Sequence, residues 1–284
     1  MQFHRQPNTY IGEVHLKVTD LERSLQFYRT VIGFQVLEQT ANKAVLTANG
    51  TTALLTIEQP ENALPKQPRT TGLYHFALLL PHRSDLADIL AHFIQVGYPL
   101  QGASDHLVSE AIYLADPDGN GIEVYTDRPS DSWRWVNGEI VMTTDALDAE
   151  GLLAERKKTA WDGLPPKTVM GHIHLHVAEL EKTKEFYVDG LGFDIANSQY
   201  GSQVLFISTG AYHHHIGLNI WNGKGAPPAP VNGAGLKCFM LVLSDEAKRK
   251  RVVTQLQAID AVVWEEAGSM MTKDPSGNRI ALLV

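Results

Sequence analysis

Two histidines, His75 and His172, stand at the same position in two copies of an apolar strand pattern, and Glu123 lies in a third apolar strand. The third strand reads Ile122-Glu123-Val124, so a buried carboxylate there must be paired, protonated or bound to a metal. Imidazole and carboxylate groups bind several divalent metals, and two imidazoles with one carboxylate leave coordination positions open on Fe(II). These residues are the first candidates for chemistry, if the fold brings them together.

The strands around these residues belong to an internal repeat. Residues 11–18 are followed by Phe-Tyr and Gly-Phe pairs, and the same order returns between residues 170 and 193. Residues 72–79 resemble residues 235–242, and each of these strands is followed further on by an Asp-Pro-x-Gly-Asn turn. Repetition of this kind predicts four modules, over residues 10–60, 71–128, 169–222 and 234–284.

Each module is predicted to fold as one strand, one helix and three further strands. In the first module Val14, Leu16 and Val18 alternate with polar residues, as in a half-buried strand. Thr19 and Asp20 offer N-cap oxygens to the following helix, and Gly33 suits its C-terminal end. Residues 129–168 fall between the second and third modules and are predicted to be a linker with a helix in residues 145–158.

Composition excludes several classes of partner. The chain has a formal net charge of -8 and no long basic run, which argues against a nucleic-acid surface. A single cysteine gives no disulfide framework, and no apolar stretch reaches the length of a membrane span. The first residues lack the apolar core of a secretory signal, so a cytoplasmic location is expected.

The four modules resemble those of the vicinal-oxygen-chelate family, which includes glyoxalase, bleomycin-resistance proteins and extradiol dioxygenases. The resemblance covers nearly the whole chain outside the linker. It implies an α+β fold in which the βαβββ modules pair into two cup-shaped mixed sheets, with helices packed outside. It also implies an N-terminal domain of residues 1–128, the linker 129–168 and a C-terminal domain of residues 169–284. In this family the metal ligands lie on the first and last strands of paired modules.

Two pairings of the modules remain open. Modules two and three together would offer His75, His172 and Glu123, which is the preferred ligand set. Modules one and two would offer Glu13, His75 and Glu123, a more glyoxalase-like set. Module four has a cysteine and an alanine at the ligand positions, so a cup that depends on it has no adequate site.

The segment 105–123 closely resembles the extradiol dioxygenase signature, which joins a His, a Tyr and an Asp-Pro-x-Gly turn to the ligand Glu123. By this resemblance Tyr113 would hydrogen-bond a catechol oxygen, and His106 would help to steer the substrate. Extradiol enzymes also carry an acid–base histidine before a strand of the module that donates the first ligand. We align this histidine with His215, and His213 is the alternative.

The resemblance implies an extradiol, catechol 2,3-dioxygenase-like oxidoreductase that cleaves catechol-type aromatic diols with O2. Fe(II) is the expected metal, with Mn(II) or another divalent ion as the alternative, and a homo-oligomer is compatible with the sequence. Two other functions stay open at this stage. One is a metal-dependent lyase, isomerase or thiol transferase of the glyoxalase type. The other is a non-catalytic resistance protein that binds a small molecule.

Overall fold

The first module shows how local sequence sets each element of the fold. A computed structural model describes residues 2–284. The Asp20 carboxylate accepts a hydrogen bond from the Arg23 amide at the N-terminus of the first helix, and Gly33 ends the helical segment at a positive φ of 96°. The predicted cap and stop are both confirmed. The elements are β1 (Tyr10–Lys17), α1 (Leu21–Phe27, continued by a π-helical turn, Tyr28–Ile32), β2 (Gln35–Gln39), β3 (Lys43–Thr47) and β4 (Ala53–Glu58).

The remaining modules repeat this order around the linker. The second module contains β5 (Gly72–Leu79), α2 (Arg83–Val96), β6 (Gly102–Asp105), β7 (Ser109–Ala115) and β8 (Gly121–Asp127). The linker contains β9 (Trp135–Val136), β10 (Glu139–Ile140), β11 (Asp145–Ala146) and α3 (Ala149–Leu153). The third module contains β12 (Val169–His176), α4 (Leu180–Glu185, continued by Phe186–Gly190), β13 (Asp194–Asn197), β14 (Val204–Ser208) and β15 (Ile216–Asn219). The fourth contains β16 (Gly235–Val242), α5 (Glu246–Ala258), β17 (Val263–Glu266), β18 (Ser269–Lys273) and β19 (Arg279–Leu283).

The linker helix is shorter than its sequence predicts. The first residues of the expected helix form β11, which pairs with β6 at the edge of a sheet. At the other end, the backbone N–H groups of Lys157 and Lys158 both donate to Asp88 on α2. Backbone groups engaged in these two ways cannot form helical hydrogen bonds, so the helix is limited to α3.

Two large mixed sheets form most of the molecule, and each combines strands from both halves of the chain; β9 and β10 form a separate two-stranded sheet in the linker. Modules two and three, joined by β11, build a nine-stranded sheet in the order β11-β6-β7-β8-β5-β12-β15-β14-β13. Modules one and four build an eight-stranded sheet in the order β17-β18-β19-β16-β1-β4-β3-β2. The α+β fold and the preferred pairing of modules two and three are confirmed.

At the centre of each sheet, a strand from the N-terminal half of the chain pairs with a strand from the C-terminal half. The first strands of paired modules, β5 with β12 and β1 with β16, meet there in antiparallel pairs. Apolar side chains of both sheets and of the helices form one continuous buried cluster. Because each sheet takes strands from both halves of the chain, the domain boundaries 1–128 and 169–284 stay a prediction from the sequence and do not describe the sheets.

None of the helices in residues 2–284 has the length and apolar character needed to cross a membrane.

The alternative ligand set with Glu13 does not form. Glu13 lies on β1, in the sheet that β5 and β8 do not join. Its carboxylate is 2.8 Å from Nε2 of His15 and accepts a hydrogen bond of 2.5 Å from the Thr56 hydroxyl. Because β1 pairs with β16 and not with β5, Glu13 is held away from the candidate ligands of the nine-stranded sheet.

The Glu13–His15 pair predicts that stability depends on pH. Burial opposes a charge on His15, but its contacts with Cys238 and Glu13 raise the pKa of the imidazole from 6.5 to about 9. A histidine with a raised pKa contributes stability that is full below pH 6.5 and is lost as the pH rises through about 9. We expect denaturant titrations to show a fall of about 1 to 3 kcal/mol in the free energy of unfolding across this window.

Glu13→Gln is the comparison for this pH dependence. The variant removes the carboxylate and keeps the shape of the side chain, so we expect it to reduce the difference in stability between pH 6.5 and pH 9, while the contact of His15 with Cys238 remains. Equal slopes for wild type and Glu13→Gln would contradict the assignment to this pair.

Candidate metal centre and active site

Three neighbouring strands at the centre of the nine-stranded sheet carry the candidate ligands. β8, β5 and β12 lie side by side and carry Glu123, His75 and His172. Nε2 of each histidine lies 3.1 Å from Oε2 of Glu123. One potential ligand atom from each residue lies within 4.8 Å of the other two. Side chains from distant parts of the sequence thus converge on one point.

Two β-bulges interrupt the pairing of β12 with β5 near the candidate ligands. The register shifts between Met170 and His172, and again where His174 and Leu175 face β5. In the second bulge Tyr74 is the extra residue on β5. A bulge interrupts the alternation of side chains along a strand. As a result the consecutive residues Tyr74 and His75 both line the same cavity.

The charge states of Glu123 and His172 favour metal binding. Burial opposes ionisation of Glu123, but the contacts with His172 and His75 lower the pKa of its carboxyl well below the ordinary value. Burial lowers the pKa of His172 to about 4, against the attraction of Glu123. At neutral pH the site therefore presents a carboxylate and a neutral imidazole, the deprotonated forms that bind a metal.

The unused hydrogen-bonding capacity at this point fits a bound ion. Glu123 and His172 are 3% and 1% exposed, and His75 is 7% exposed. Although Nε2 of His75 is close to Glu123, among residues 2–284 it finds no partner with hydrogen-bond geometry. A buried polar atom without a partner is costly. Two imidazoles and a carboxylate that converge in this way match the ligand set of non-haem Fe(II) sites, so the residues fit a divalent metal.

A cavity of about 360 Å³ is lined by His75 and Glu123. Small-molecule sites commonly begin at about 300 Å³, so the cavity has room for a small ligand. Nine of its twenty lining residues carry aromatic rings, from strands of both modules and from loops. The aromatic lining residues are Tyr74, His75, His106, Tyr113, His174, Tyr200, Phe206, His214 and Trp221.

Tyr113 and His106 form a hydrogen-bonded pair in the cavity wall. Nδ1 of His106 lies 2.6 Å from the Thr143 carbonyl, which can only accept, so this nitrogen carries the proton. Nε2 of the same ring then accepts from the Tyr113 hydroxyl at 2.6 Å. Burial and the nearby Glu123 raise the pKa of Tyr113 well above its ordinary value. The phenol therefore stays protonated at neutral pH.

The three consecutive histidines before β15 have different surroundings, and only His214 reaches the cavity. The ring of His214 lies 4.1 Å from that of His172, centroid to centroid. His215 faces the other way, where its Nδ1 accepts from the Thr209 amide and its Nε2 lies 3.3 Å from the Phe3 carbonyl. The structure therefore does not place His215, the residue aligned from the sequence, in the cavity. His214 takes its place as the candidate.

Alternation along the triplet accounts for this difference. His213 and His215 both contact the buried ring of Tyr212, away from the cavity, so these two residues share one side of the chain. His214 lies between them and lines the cavity, one position before the residue aligned from the sequence. His174 was also missed as a lining residue, although its spacing of two from His172 was a usable signal. Trp221, two residues after the end of β15, also lines the cavity.

The close packing of Gly171 beside His172 predicts a large effect of one added methyl group. A Cβ at Gly171 would lie 2.1 Å from the Tyr125 hydroxyl and 2.6 Å from its ring. Tyr125 is fully buried and packs against His172, with ring centroids 4.9 Å apart. We expect Gly171→Ala to lower the free energy of unfolding by about 1 to 3 kcal/mol and to weaken metal binding.

Gly12→Ala is the matched control, because Gly12 occupies the same repeat position on β1. A Cβ there would meet chiefly one methyl group of Val242, at 2.7 Å. We expect a smaller loss of stability and no loss of metal. Thermal unfolding and metal analysis of both variants would check this, and equal metal affinity in the two would refute it.

The chain is similar to known proteins over nearly its whole length. The model of the Glyoxalase/Bleomycin resistance protein/Dioxygenase superfamily matches residues 10–124 and 169–282, so the chain belongs to that superfamily. A protein of Bacillus subtilis (strain 168) named catechol-2,3-dioxygenase is 48% identical over 280 residues, which cover 98% of each chain. Biphenyl-2,3-diol 1,2-dioxygenase 3 of Rhodococcus globerulus is 29% identical over 137 residues, 46% of this chain and 72% of the relative.

Solved structures support the same fold. Glyoxalase I from Zea mays superposes with a TM-score of 0.60 at 14% identity, covering 96% of this chain and 92% of the other. At that identity the likeness concerns the fold alone. The family resemblance expected from the sequence is confirmed.

Proposed function

We propose that the protein is an extradiol ring-cleaving dioxygenase that uses Fe(II) and O2 to open catechol-type aromatic diols. The observation that carries this proposal is the convergence of His75, Glu123 and His172, of which His75 and Glu123 line a cavity with several aromatic rings. The two relatives named as dioxygenases, of catechol and of biphenyl-2,3-diol, support it. Mn(II) is the alternative metal, because imidazole and carboxylate bind both ions.

In this proposal His75, Glu123 and His172 hold the metal. When bound, the metal supplies the redox and Lewis-acid chemistry that joins an aromatic diol to O2. The protein's own part is to position the diol and to manage its protons. The net reaction breaks the ring bond beside the diol and adds both oxygen atoms of O2, which gives a semialdehyde of a muconate.

His214 is the proposed acid–base residue. Burial and the neighbouring imidazoles lower the pKa of its ring well below the ordinary value, so it is neutral at neutral pH. A neutral imidazole in the cavity wall can accept a proton from a diol hydroxyl and return it later in the reaction. His214 replaces His215 in this role because it is the member of the triplet that faces the cavity.

Tyr113 and His106 are proposed to orient the substrate oxygens. The Tyr113 hydroxyl lies in the cavity wall on β7, directly opposite Glu123 on β8. Its proton, donated to His106 in the structure, can turn towards a substrate oxygen. A hydrogen bond aimed at an oxygen that gains negative charge stabilises that charge.

The direct test is ring cleavage by the purified protein. The full chain would be loaded anaerobically with Fe(II), and a panel of catechols would be followed by the yellow colour of the ring-opened product and by oxygen uptake. We expect one O2 consumed per catechol, with far lower rates for His75→Ala. Parallel loading with Mn(II) identifies the metal that supports the reaction. Iron-loaded protein that turns over no catechol in a broad panel would overturn the proposal.

A further inference from the structure

A chain of hydrogen bonds runs from His214 away from the cavity. Nδ1 of His214 lies 2.9 Å from Nδ1 of His213, and Nε2 of His213 lies 2.8 Å from Oδ1 of Asp127. The Tyr212 hydroxyl donates to the same carboxylate oxygen at 3.1 Å. The Tyr125 hydroxyl lies 2.7 Å from that of Tyr212. The carboxylate of Asp127, at the end of β8, thus receives hydrogen bonds from two groups behind the cavity, His213 and Tyr212.

The carboxylate limits the directions that these hydrogen bonds can take. An ionised carboxylate can only accept, so Nε2 of His213 carries a proton. With this single proton on the ring, Nδ1 of His213 is the acceptor of the bond from His214. His214 then carries its proton on Nδ1, and its Nε2 has the free lone pair.

The middle residue of the chain is held rigidly. His213 is fully buried, and its ring lies 4.0 Å, centroid to centroid, from the tilted ring of Tyr212. Trp133 from the linker contacts the same ring edge-on at 5.3 Å, and Phe3 packs against both Trp133 and Tyr212. Close packing of this kind leaves a buried ring little room to turn over and exchange its two nitrogens.

We propose that Asp127 and His213 are positioning residues that fix the tautomer of His214, so that its Nε2 faces the cavity as an unprotonated base. The meaning of this arrangement for catalysis rests on the proposed acid–base role of His214. The arrangement follows the logic of a carboxylate and imidazole that orient a catalytic group, with a second imidazole inserted between them. Asp127 comes from module two and the histidines from module three, so docking of the two modules sets the tautomer.

Nitrogen NMR of the ring tests the tautomer directly. The full-length protein would be labelled with ¹⁵N-histidine and loaded with diamagnetic Zn(II), and the His214 signals would be assigned from their loss in His214→Gln. We expect a protonated Nδ1 and an unprotonated Nε2 in the wild type. A wild-type His214 with its proton on Nε2 would overturn the proposal, and this measurement needs no Asp127 variant to fold.

Asp127→Asn provides the second measurement. The amide can donate to Nε2 of His213, which reverses the chain and moves the proton of His214 to Nε2. Tyr212→Phe is the matched control, because it removes another donor to the same carboxylate and leaves the bond from His213. We expect the tautomer to switch in Asp127→Asn alone. The same tautomer in both variants, whether switched or not, would contradict the proposal.

The kinetic readout separates this inference from the proposed function. If the iron enzyme cleaves catechols, we expect Asp127→Asn to lower kcat about 10²- to 10⁴-fold, with KM and metal content within about threefold of wild type. A fall confined to KM or to metal content would mark a merely structural role and overturn the inference. Wild-type protein with the expected tautomer but without ring cleavage would refute the proposed function and leave the positioning intact.

Discussion

Glu123→Gln is expected to abolish both metal retention and ring cleavage. Glu123 is the charged member of the candidate ligand set, and Nε2 atoms of two imidazoles lie 3.1 Å from one of its oxygens. Glutamine keeps the volume but removes the negative charge that balances a divalent ion. Loss of a residue that only supports a metal ligand costs about 10- to 100-fold, so loss of a ligand should cost at least about 100-fold in metal affinity. Metal analysis after dialysis and oxygen uptake with catechol would measure the two effects.

Glu13→Gln is the matched control for this experiment. Glu13 occupies the same repeat position as His172, but on the eight-stranded sheet, where it contacts His15 and Thr56. The same change of side chain there should leave metal content and turnover close to those of wild type. Loss of metal in Glu13→Gln, or full retention of metal in Glu123→Gln, would contradict the assignment of the centre to modules two and three.

His214→Gln is expected to lower kcat about 10²- to 10⁴-fold, which is the usual contribution of a general acid–base residue. The glutamine would fill most of the space of the ring but could not accept and return a proton near neutral pH. KM for catechol should change little, because His214 is one of many groups in the cavity wall. The metal content should also be retained, since the ligand atoms remain, and single-turnover kinetics under O2 would locate the slowed step.

His215→Gln separates the proposed residue from its neighbour. His215 is buried with its nitrogens directed at Thr209 and Phe3, away from the cavity. We expect some loss of stability in this variant but a kcat within a few-fold of wild type. A large loss of kcat in His215→Gln together with a normal His214→Gln enzyme would restore the assignment made from the sequence.

Much of this architecture could be predicted from the sequence, because periodic apolar residues and an internal repeat indicate the helices and strands. The alternation around Val14 and the cap and stop at Asp20 and Gly33 are local signals, and they gave the right elements. Because the modules repeat in sequence, the same order of elements could be predicted for the other three. Ligand chemistry then selected the pairing of modules, since the chain offers two imidazoles and a carboxylate only where modules two and three meet.

The remaining features depend on contacts that no local pattern records. The packing of His213 and His215 against Tyr212 decides which histidine of the triplet faces the cavity, and β11 shortens the linker helix by pairing with β6. The bulge at Tyr74 likewise appears only once β5 is paired with β12. In each case a long-range contact overrides what the neighbouring residues favour. The local sequence therefore predicts the elements better than the direction of individual side chains.

The central antiparallel pairing of β5 with β12 makes the candidate centre a joint property of two distant stretches of chain. His75 and Glu123 come from before the linker and His172 from after it, so the site does not exist until both stretches have folded and docked. An ion held there would add its binding free energy to that docking, because it binds only the assembled form. The free concentration of the metal and the free energy of docking between the two stretches of chain are therefore thermodynamically linked.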